Sequence, residues 1–578
     1  MKQSLPRAPF ASPLTLVRAA LVIVLTALLV ACGGGGVIPA PEIRPLPADY
    51  TSRKATAYSP FRTAVNDAGR ETEVITPAMV KEDLDLLLTG GFKLIRLFDS
   101  SDKVAKLTLD VIRDNALDMK VMLGIYPISG DPAFSNAEIA RGIKLANDYK
   151  DIVLVVSVGN ETMVSWSFNR FSTIAMRDYI VRVRNAVTQP VTTDDNWAFF
   201  AQSGPYEQDP RQILDVIDFV SMHTYPLLDS YYNPDLWDWQ QVDVPESQRA
   251  EAMMDAAFER AKFEYDAVRG HLDSQGFTAM PIVVGETGWT AVDTPGGPTL
   301  TFRAHPVNQK MYYDRLQAWK AAGGTGPKNV FYFEAFDEPW KQGDDGWGLF
   351  NVKRQARFVV QSFFPKEMWE PVDPSDADGV YTYSDAVYYI PPVINAAVTA
   401  NRYVIYSEAT TASDYVPTGL VWDPFVKTFW QPVADPAPGD GVESYEIDPR
   451  PETWGWGLLY QSRTGVTENL SNFADGTLNF SIKTSYAQKI EIGISSETEF
   501  EGPVEAYVQI QNGQYGHCNT GGWCKVSIPV RDFVAANPKI DLRLVLSRFV
   551  IADRFDVTGN EKKTDLPKLY LDGVYWSR

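Results

Sequence analysis

From about residue 50 to residue 360, short β-branched or aromatic runs alternate with stretches whose apolar positions recur at helical spacing. The runs predict eight strands, at 55–59, 93–98, 120–125, 152–158, 191–194, 219–224, 282–285 and 330–335. Between several of them lie amphipathic segments at 77–88, 135–148, 174–186 and 309–321, while the stretch after Asn196 is less regular. Strands alternating with helices pair in parallel through right-handed crossovers, and eight such units over about 310 residues fit a (β/α)8 barrel. A doubly wound sheet is the alternative. No Gly-rich phosphate loop follows any strand, so the barrel is the better reading.

After residue 360 the pattern changes. Pro365, Pro371, Pro374, Pro391 and Pro392 fall in a stretch rich in Asp and Tyr, which predicts a connector or packed extension over 361–399. From 400 to 578 short alternating strands with turn signals follow, at 402–407, 477–483, 489–494, 504–511, 524–530, 542–550 and 568–575. These predict an all-β sandwich. The loop 436–441, Pro-Ala-Pro-Gly-Asp-Gly, lies within that sandwich, and no internal repeats are found.

The first residues are a targeting segment rather than part of the fold. Lys2, Arg7 and Arg18 precede the apolar run 19–30, which is too short for a comfortable membrane span. The run ends Leu29-Val30-Ala31-Cys32, which resembles the bacterial lipobox. That resemblance implies removal of residues 1–31, lipid on Cys32 and a Gly-rich tether over 32–49. The expected location is the cell envelope, and the absence of Asp at position 33 leans toward the outer membrane.

Composition narrows the class of partner. The chain has 578 residues, enough for more than one domain, and a net charge of −20 from 73 acidic and 53 basic residues. An acidic surface repels nucleic acid and anionic lipid, so any membrane contact is through the anchor, and a monomer is expected. Aromatics make up 12% of the chain, with 15 Trp, which suits a neutral, stackable partner. Of three Cys, Cys518 and Cys524 remain after processing, six positions apart, and predict a small disulfide loop in an oxidising compartment.

In such a barrel the reacting groups sit at the C-terminal ends of the strands. Those ends carry Arg96 and Asp99 on strand two, Asn160 and Glu161 on strand four, and His223-Thr224-Tyr225 on strand six. Strand seven ends Gly285-Glu286-Thr287-Gly288-Trp289, and strand eight is followed by Glu334, Phe336, Glu338, Trp340 and Lys341. Carboxylates and aromatics therefore converge on one mouth. With only four His and no clustered Cys, neither a metal site nor another cofactor is expected. Two carboxyl groups facing each other across a rigid barrel are what glycoside hydrolysis needs, one as proton donor and one to stabilise or attack the anomeric carbon. Glu161 and Glu286, each after an apolar strand, are the strongest pair.

The motifs Tyr58-Ser59-Pro60-Phe61, Ile95-Arg96-Leu97-Phe98-Asp99, Val158-Gly159-Asn160-Glu161, Gly285-Glu286-Thr287-Gly288-Trp289, Phe333-Glu334-Ala335-Phe336-Asp337-Glu338-Pro339-Trp340-Lys341 and Trp347-Gly348-Leu349-Phe350 occur in this order. Together, over about residues 50–355, they resemble glycoside hydrolase family seventeen, the β-1,3-glucanases and β-1,3-glucanosyltransferases. The resemblance implies Glu161 as acid/base and Glu286 as nucleophile in a retaining double displacement, with the carboxyls about 5 to 5.5 Å apart. Repulsion from Glu286 would keep Glu161 protonated until glycosylation removes that charge. Asn160 would bond the sugar 2-hydroxyl, and Tyr225 would orient Glu286. Arg96, Asp99, Glu334, Glu338 and Lys341 complete the expected substrate-binding set, with one of the strand-eight glutamates as an alternative acid. Trp289, Trp340, Trp347 and Phe336 are candidates for sugar stacking, and the segment 227–244, with Trp237 and Trp239, for an insertion over the cleft.

The sandwich resembles the jelly-roll carbohydrate-binding modules of secreted polysaccharidases, which implies a jelly-roll fold, its last strand reading Leu569-Tyr570-Leu571-Asp572-Gly573-Val574-Tyr575-Trp576. Trp454, Trp456, Tyr515 and Trp523 are its candidate stacking residues. The expected activity is hydrolysis of laminarin-like β-1,3-glucan. The alternatives are glucan transglycosylation and, from another class, a non-catalytic glycan-binding lipoprotein.

Overall fold

A computed structural model describes residues 42–294, 297–343, 345–373, 375, 379–424, 428–448, 457–462, 465–496, 504–552 and 567–578. The targeting segment with Cys32, and Trp454 and Trp456, lie outside the described residues. A short helix, α1 (Ala48–Ser52), leads into eight strands: β1 (Lys54–Ala57), β2 (Phe92–Leu97), β3 (Lys120–Ile125), β4 (Val153–Asn160), β5 (Val191–Asn196), β6 (Val220–His223), β7 (Ile282–Thr287) and β8 (Val330–Tyr332). They pair in parallel, each with its sequence neighbour, and β8 returns to β1 to close the barrel.

The principal helices between the strands are α2 (Pro77–Thr89), α3 (Leu107–Asp114), α4 (Pro132–Asp148), α5 (Thr173–Ala186), α6 (Glu246–Ser274) and α7 (Pro306–Ala322). Local chemistry starts them where the spacing placed them. Thr76 and Asp131 accept from the third backbone N–H of α2 and α4, and Pro77, Pro132 and Pro306 occupy first-turn positions where no amide is needed. The 29-residue α6, the crossover from β6 to β7, is the element that the periodicity hides. Its inner face carries Arg249, Arg260 and Glu264, which break the apolar spacing yet are buried as partners: Arg260 pairs with Glu264 at 2.8 Å, and Thr224 donates to Glu264 at 2.5 Å.

Inside the barrel, Leu94, Met122, Val155, Val283 and Phe331 pack against Tyr50 of α1, which plugs the N-terminal end. The opposite end is left to polar side chains. The segment after β8 closes the flank: Arg357 bonds Asp337 and Glu370, and Arg354 reaches back to Asp83 on α2 at 2.9 Å. The connector packs as an extension, with Asn308 on α7 and the Val387 backbone bonding each other in both directions and Arg249 donating to the Tyr389 carbonyl. Trp237 and Trp239 belong to this packing. Both are buried, with Trp239 set against Tyr389 and Arg303, so they do not cap the cleft as the sequence suggested.

The C-terminal region holds β9 (Arg402–Tyr406), β10 (Leu420–Pro424), β11 (Phe429–Val433), β12 (Ser444–Asp448), β13 (Gly457–Ser462), β14 (Thr477–Lys483), β15 (Ile490–Ser496), β16 (Val504–Ile510), β17 (Trp523–Pro529), β18 (Val545–Ala552) and β19 (Leu569–Ser577). Two antiparallel sheets, β10-β13-β18-β15-β16 and β11-β12-β19-β14-β17 with β9 beside β19, enclose one core that includes Phe480, Ile492, Phe549 and Trp576. Strands β10 to β13 were not foreseen. Trp422 is the one buried residue of β10 and β11 lacks any, so neither shows apolar alternation. Cys518 and Cys524 are joined as a disulfide, with Cα atoms 5.8 Å apart.

Candidate active site

The polar end of the barrel is organised by Arg96, which leaves β2 and is buried among acceptors from three other strands. Its Nε donates to Asp194 Oδ2 at 3.0 Å, one terminal nitrogen to Glu286 Oε1 and the other to Asn160 Oδ1 at 2.5 Å. Three acceptors on a planar fork fix the rotamers of all three partners.

Glu286, on β7, is further held by the Tyr225 hydroxyl, which donates to Oε2 at 2.7 Å. Gly285 makes room for this arrangement, since a Cβ there would run into Ser221 Oγ and Asp194 Oδ1. Glu161 follows a bend at the end of β4, where Gly159 takes φ of +94° and a Cβ would stand 2.7 Å from Met176 Cε. Glu161 itself adopts φ of +47°, a left-handed conformation that is costly away from Gly, and its N–H donates to the Asp194 carbonyl at 2.9 Å. The turn points the side chain into the mouth. It is 36% exposed, against 7% for Glu286, so one carboxyl group is open to solvent and the other recessed.

His223 stands between them. Its Nδ1 lies 2.9 Å from Glu161 Oε1 and 3.5 Å from Glu286 Oε2, and its Nε2 faces Asp194 Oδ1 at 3.9 Å. The open and the recessed carboxyl group therefore face one and the same ring nitrogen.

The electrostatics follow from this packing. Burial opposes charge on His223, but the Glu286 carboxylate, the nearby Asp194 carboxylate and the bond to Glu161 outweigh it and raise the imidazole to about 10. Burial likewise opposes charge on Glu286, and the cations His223 and Arg96, with the Tyr225 bond, hold it below the usual carboxylate range. Asp194, buried but flanked by Arg96 and His223, is held down to about 2. Asp195 goes the other way, to about 7, because burial and the Glu161 charge oppose its ionisation. Its oxygens accept from the backbone of Met163, Val164 and Asn196 and so pin the turn behind Glu161.

His223, Asp194 and Asp195 had been assigned no role from sequence. The signal was present for the last two: Asp194-Asp195 ends a barrel strand as Glu161 does. The role of His223 lies in three contacts from three strands, which no local pattern carries.

The strand-eight residues form a group of their own. Lys341 Nζ bonds Glu334 at 3.0 Å and Glu338 at 2.5 Å, and Trp340 Nε1 donates to Glu338 at 3.2 Å. Burial and its neighbour push the Glu334 carboxyl well up, while Lys341 overcomes burial to hold Glu338 near 2. Both carboxyl groups are buried against Lys341, and the half-buried Lys341 and Trp340 are what the group exposes. Arg70 lies over the Trp340 ring at 4.2 Å.

The stacking contacts expected of Trp289, Phe336 and Trp347 fail. Trp289 is 0% exposed, with Nε1 bonded to the Arg303 carbonyl and its ring against Tyr312, so it is wall rather than platform. Phe336, 2% exposed, is stacked on Phe350 with the Arg354 guanidinium 4.4 Å from its centroid. Trp347 is buried under Tyr225 and Phe333. Half-buried Asp99 accepts from the N–H of Ser101, the residue that caps the following helical turn, at 2.8 Å. In the sandwich, Tyr515 bonds Asp532 at 3.0 Å and packs against the core.

Comparison with known proteins agrees with this architecture. Residues 431–577 match the carbohydrate binding domain 30 family. A glucan 1,3-beta-glucosidase of Arthroderma benhamiae is 24% identical over 290 residues, which cover 48% of this chain and 82% of that protein. Glucan endo-1,3-beta-glucosidase 5 of Arabidopsis thaliana is 22% identical over 338 residues, 51% of this chain and 65% of that one. Among solved structures, an endo-laminarinase from Formosa Hel1_33_131 aligns with a TM-score of 0.49 at 24% identity, over 60% of this chain and 97% of that one. Residues 55–350, just over half the chain and the whole of the barrel mouth described above, match the family described as the BtgE/BtgC glycoside hydrolase domain, and the chain belongs to that family of glycoside hydrolases.

Proposed function

We propose that the protein is a retaining β-1,3-glucanase acting on laminarin-like glucan, with Glu161 as acid/base and Glu286 as nucleophile. The observation that carries the reading is the pair itself: an open and a recessed carboxyl group at one barrel mouth, both facing His223 Nδ1, the two-carboxyl arrangement that glycoside hydrolysis needs. The glucan specificity rests on the curated relatives, whose names are those of glucan 1,3-β-glucosidases.

In the first step Glu161 gives its proton to the glycosidic oxygen as Glu286 attacks the anomeric carbon, and the bond to the leaving sugar breaks. Glu286 is suited to attack because His223 and Arg96 keep it ionised, and Tyr225 and Arg96 fix its orientation. Forming the ester consumes its charge. Asp194 keeps its own charge throughout and retains Arg96 and His223 in place while their other partner is neutralised. Asn160, its Oδ1 occupied by Arg96, presents its amide nitrogen as a donor for the sugar 2-hydroxyl. In the second step Glu161, now a base, takes a proton from water, whose oxygen displaces Glu286.

The sandwich binds glycan and raises the local concentration of polymer at the barrel mouth. The protein is a monomer held at the bacterial envelope by lipid on Cys32, and Cys32→Ala releases it into the soluble fraction of the cells that make it.

The test is product analysis with laminarihexaose. Shorter oligosaccharides or glucose are expected, and Glu286→Gln abolishes them. Unaltered hexaose with binding retained overturns the enzyme reading. Products longer than the substrate make transfer the principal activity.

A further inference from the structure

The loop that follows Glu161 carries large rings that the core does not use. Trp166 is 63% exposed and Phe168 95%, and Tyr206 on the neighbouring loop is 79% exposed. The backbone that presents the first two is tied down. Ser167, between them, donates its hydroxyl to the carbonyl oxygen of Glu161. The Phe171 N–H donates to the Thr162 carbonyl at 2.7 Å, and the Ser165 N–H to the Glu207 carboxylate at 3.1 Å. Buried Asn169 donates to the Pro127 carbonyl at 2.9 Å and accepts from the Ser129 N–H at 2.7 Å. Arg170 joins the Tyr206 carbonyl at 3.2 Å, which links the two loops.

Scattered single apolar residues on a surface need no explanation. Two exposed aromatic rings either side of a serine bonded to the Glu161 backbone, on a loop braced at both ends, place apolar surface beside the residue that bears the open carboxyl group. A loop backbone already held in place loses little entropy when a flat apolar face settles on the rings it carries.

We propose that Trp166 and Phe168 form a platform for the glucosyl units on the leaving-group side of the scissile bond, the side from which an acceptor sugar also enters. The assignment of side rests on the reading of Glu161 as acid. The group that protonates the leaving oxygen borders the departing chain, and Ser167 ties these rings to the backbone of that same residue. The occupant is the substrate's own glucan chain, because the loop that carries the rings is bonded to the backbone of the residue that protonates that chain's leaving oxygen. Its consequence lies in the second displacement. With a sugar on the platform, an acceptor hydroxyl oxygen attacks the anomeric carbon, the ester bond to Glu286 breaks, and the hydroxyl proton passes to Glu161.

The experiment compares full-length wild type with Trp166→Ala/Phe168→Ala on laminarihexaose and on an aryl β-laminaribioside, whose leaving group reaches only the first position beyond the bond. The ratio of kcat/KM for hexaose to that for the aryl substrate falls about tenfold, equivalent to about 1.4 kcal/mol. Transfer products formed at high laminaritriose fall with it. Trp166→Tyr, which keeps a ring, retains most of the ratio, and matching thermal unfolding curves exclude a folding defect. Active wild type with a ratio and transfer yield unaltered in the double variant overturns the platform alone. Wild type that cleaves neither substrate overturns the reading of Glu161 and the platform with it.

Discussion

His223 Nδ1 lies 2.9 Å from Glu161 Oε1, so the open carboxyl group of the pair is buttressed by a buried imidazole rather than by bare repulsion from Glu286. The repulsion argument made from sequence left out this cation. Because burial is outweighed by Glu286, Asp194 and Glu161, His223 in the folded chain holds its proton to about pH 10, above its ordinary value of 6.5. A raised folded pKa stabilises the fold fully below 6.5, and that stabilisation is lost as pH rises through 10. Denaturant unfolding of the wild type is expected to weaken across pH 6.5 to 10, and His223→Gln to flatten the curve there. A wild-type curve already flat across this window would refute the charge on His223.

Glu161→Ala separates the proton donor from the nucleophile. General acid help is worth about 10²–10⁴-fold and is needed most when the leaving oxygen is basic. Laminarihexaose cleavage should fall by about that factor, and cleavage of a dinitrophenyl laminaribioside far less. Equal losses on both substrates would point to a structural role for Glu161.

Arg96→Met leaves Asp194 and Glu286 buried without their guanidinium, a change that costs about 3–5 kcal/mol in comparable buried pairs. It also removes one of the two cations that hold Glu286 below the usual carboxylate range, so the acid limb of kcat/KM against pH moves to higher pH. The measurement is a pH-rate profile with a thermal unfolding curve. An acid limb left where it was would show that Arg96 does not tune Glu286.

Trp289 and Trp340 looked alike in sequence and differ in the fold. Trp289→Ala opens a cavity in the barrel wall and is expected to cost about 3–5 kcal/mol. Trp340→Ala, at a half-buried ring beside Lys341, should cost clearly less and raise KM for laminarin several-fold. Unfolding curves and Michaelis kinetics on the two variants check the contrast.

The sequence by itself determined the barrel, because period-two and period-3.6 patterns are local and alternate over most of the span from β1 to β8, the stretch after Asn196 excepted. It also placed Glu161, Glu286, Arg96, Asn160 and Tyr225 at one mouth, since every parallel strand delivers its C-terminal end to the same face. Tertiary structure alone decided which of those neighbours touch. His223 acquires its charge from carboxylates on β4, β5 and β7, and Asp194 its low pKa from β2 and β6; neither relation has a sequence distance. Burial decided the aromatics, because a Trp at a strand end packs inward or faces solvent according to what the neighbouring loops bring against it, as Arg303 and Tyr312 do for Trp289. The long helix α6 and the edge strands β10 and β11 escaped notice for a related reason. Buried salt bridges break the apolar spacing of α6, and the two edge strands are half-exposed; those partners are known only once the chain is folded.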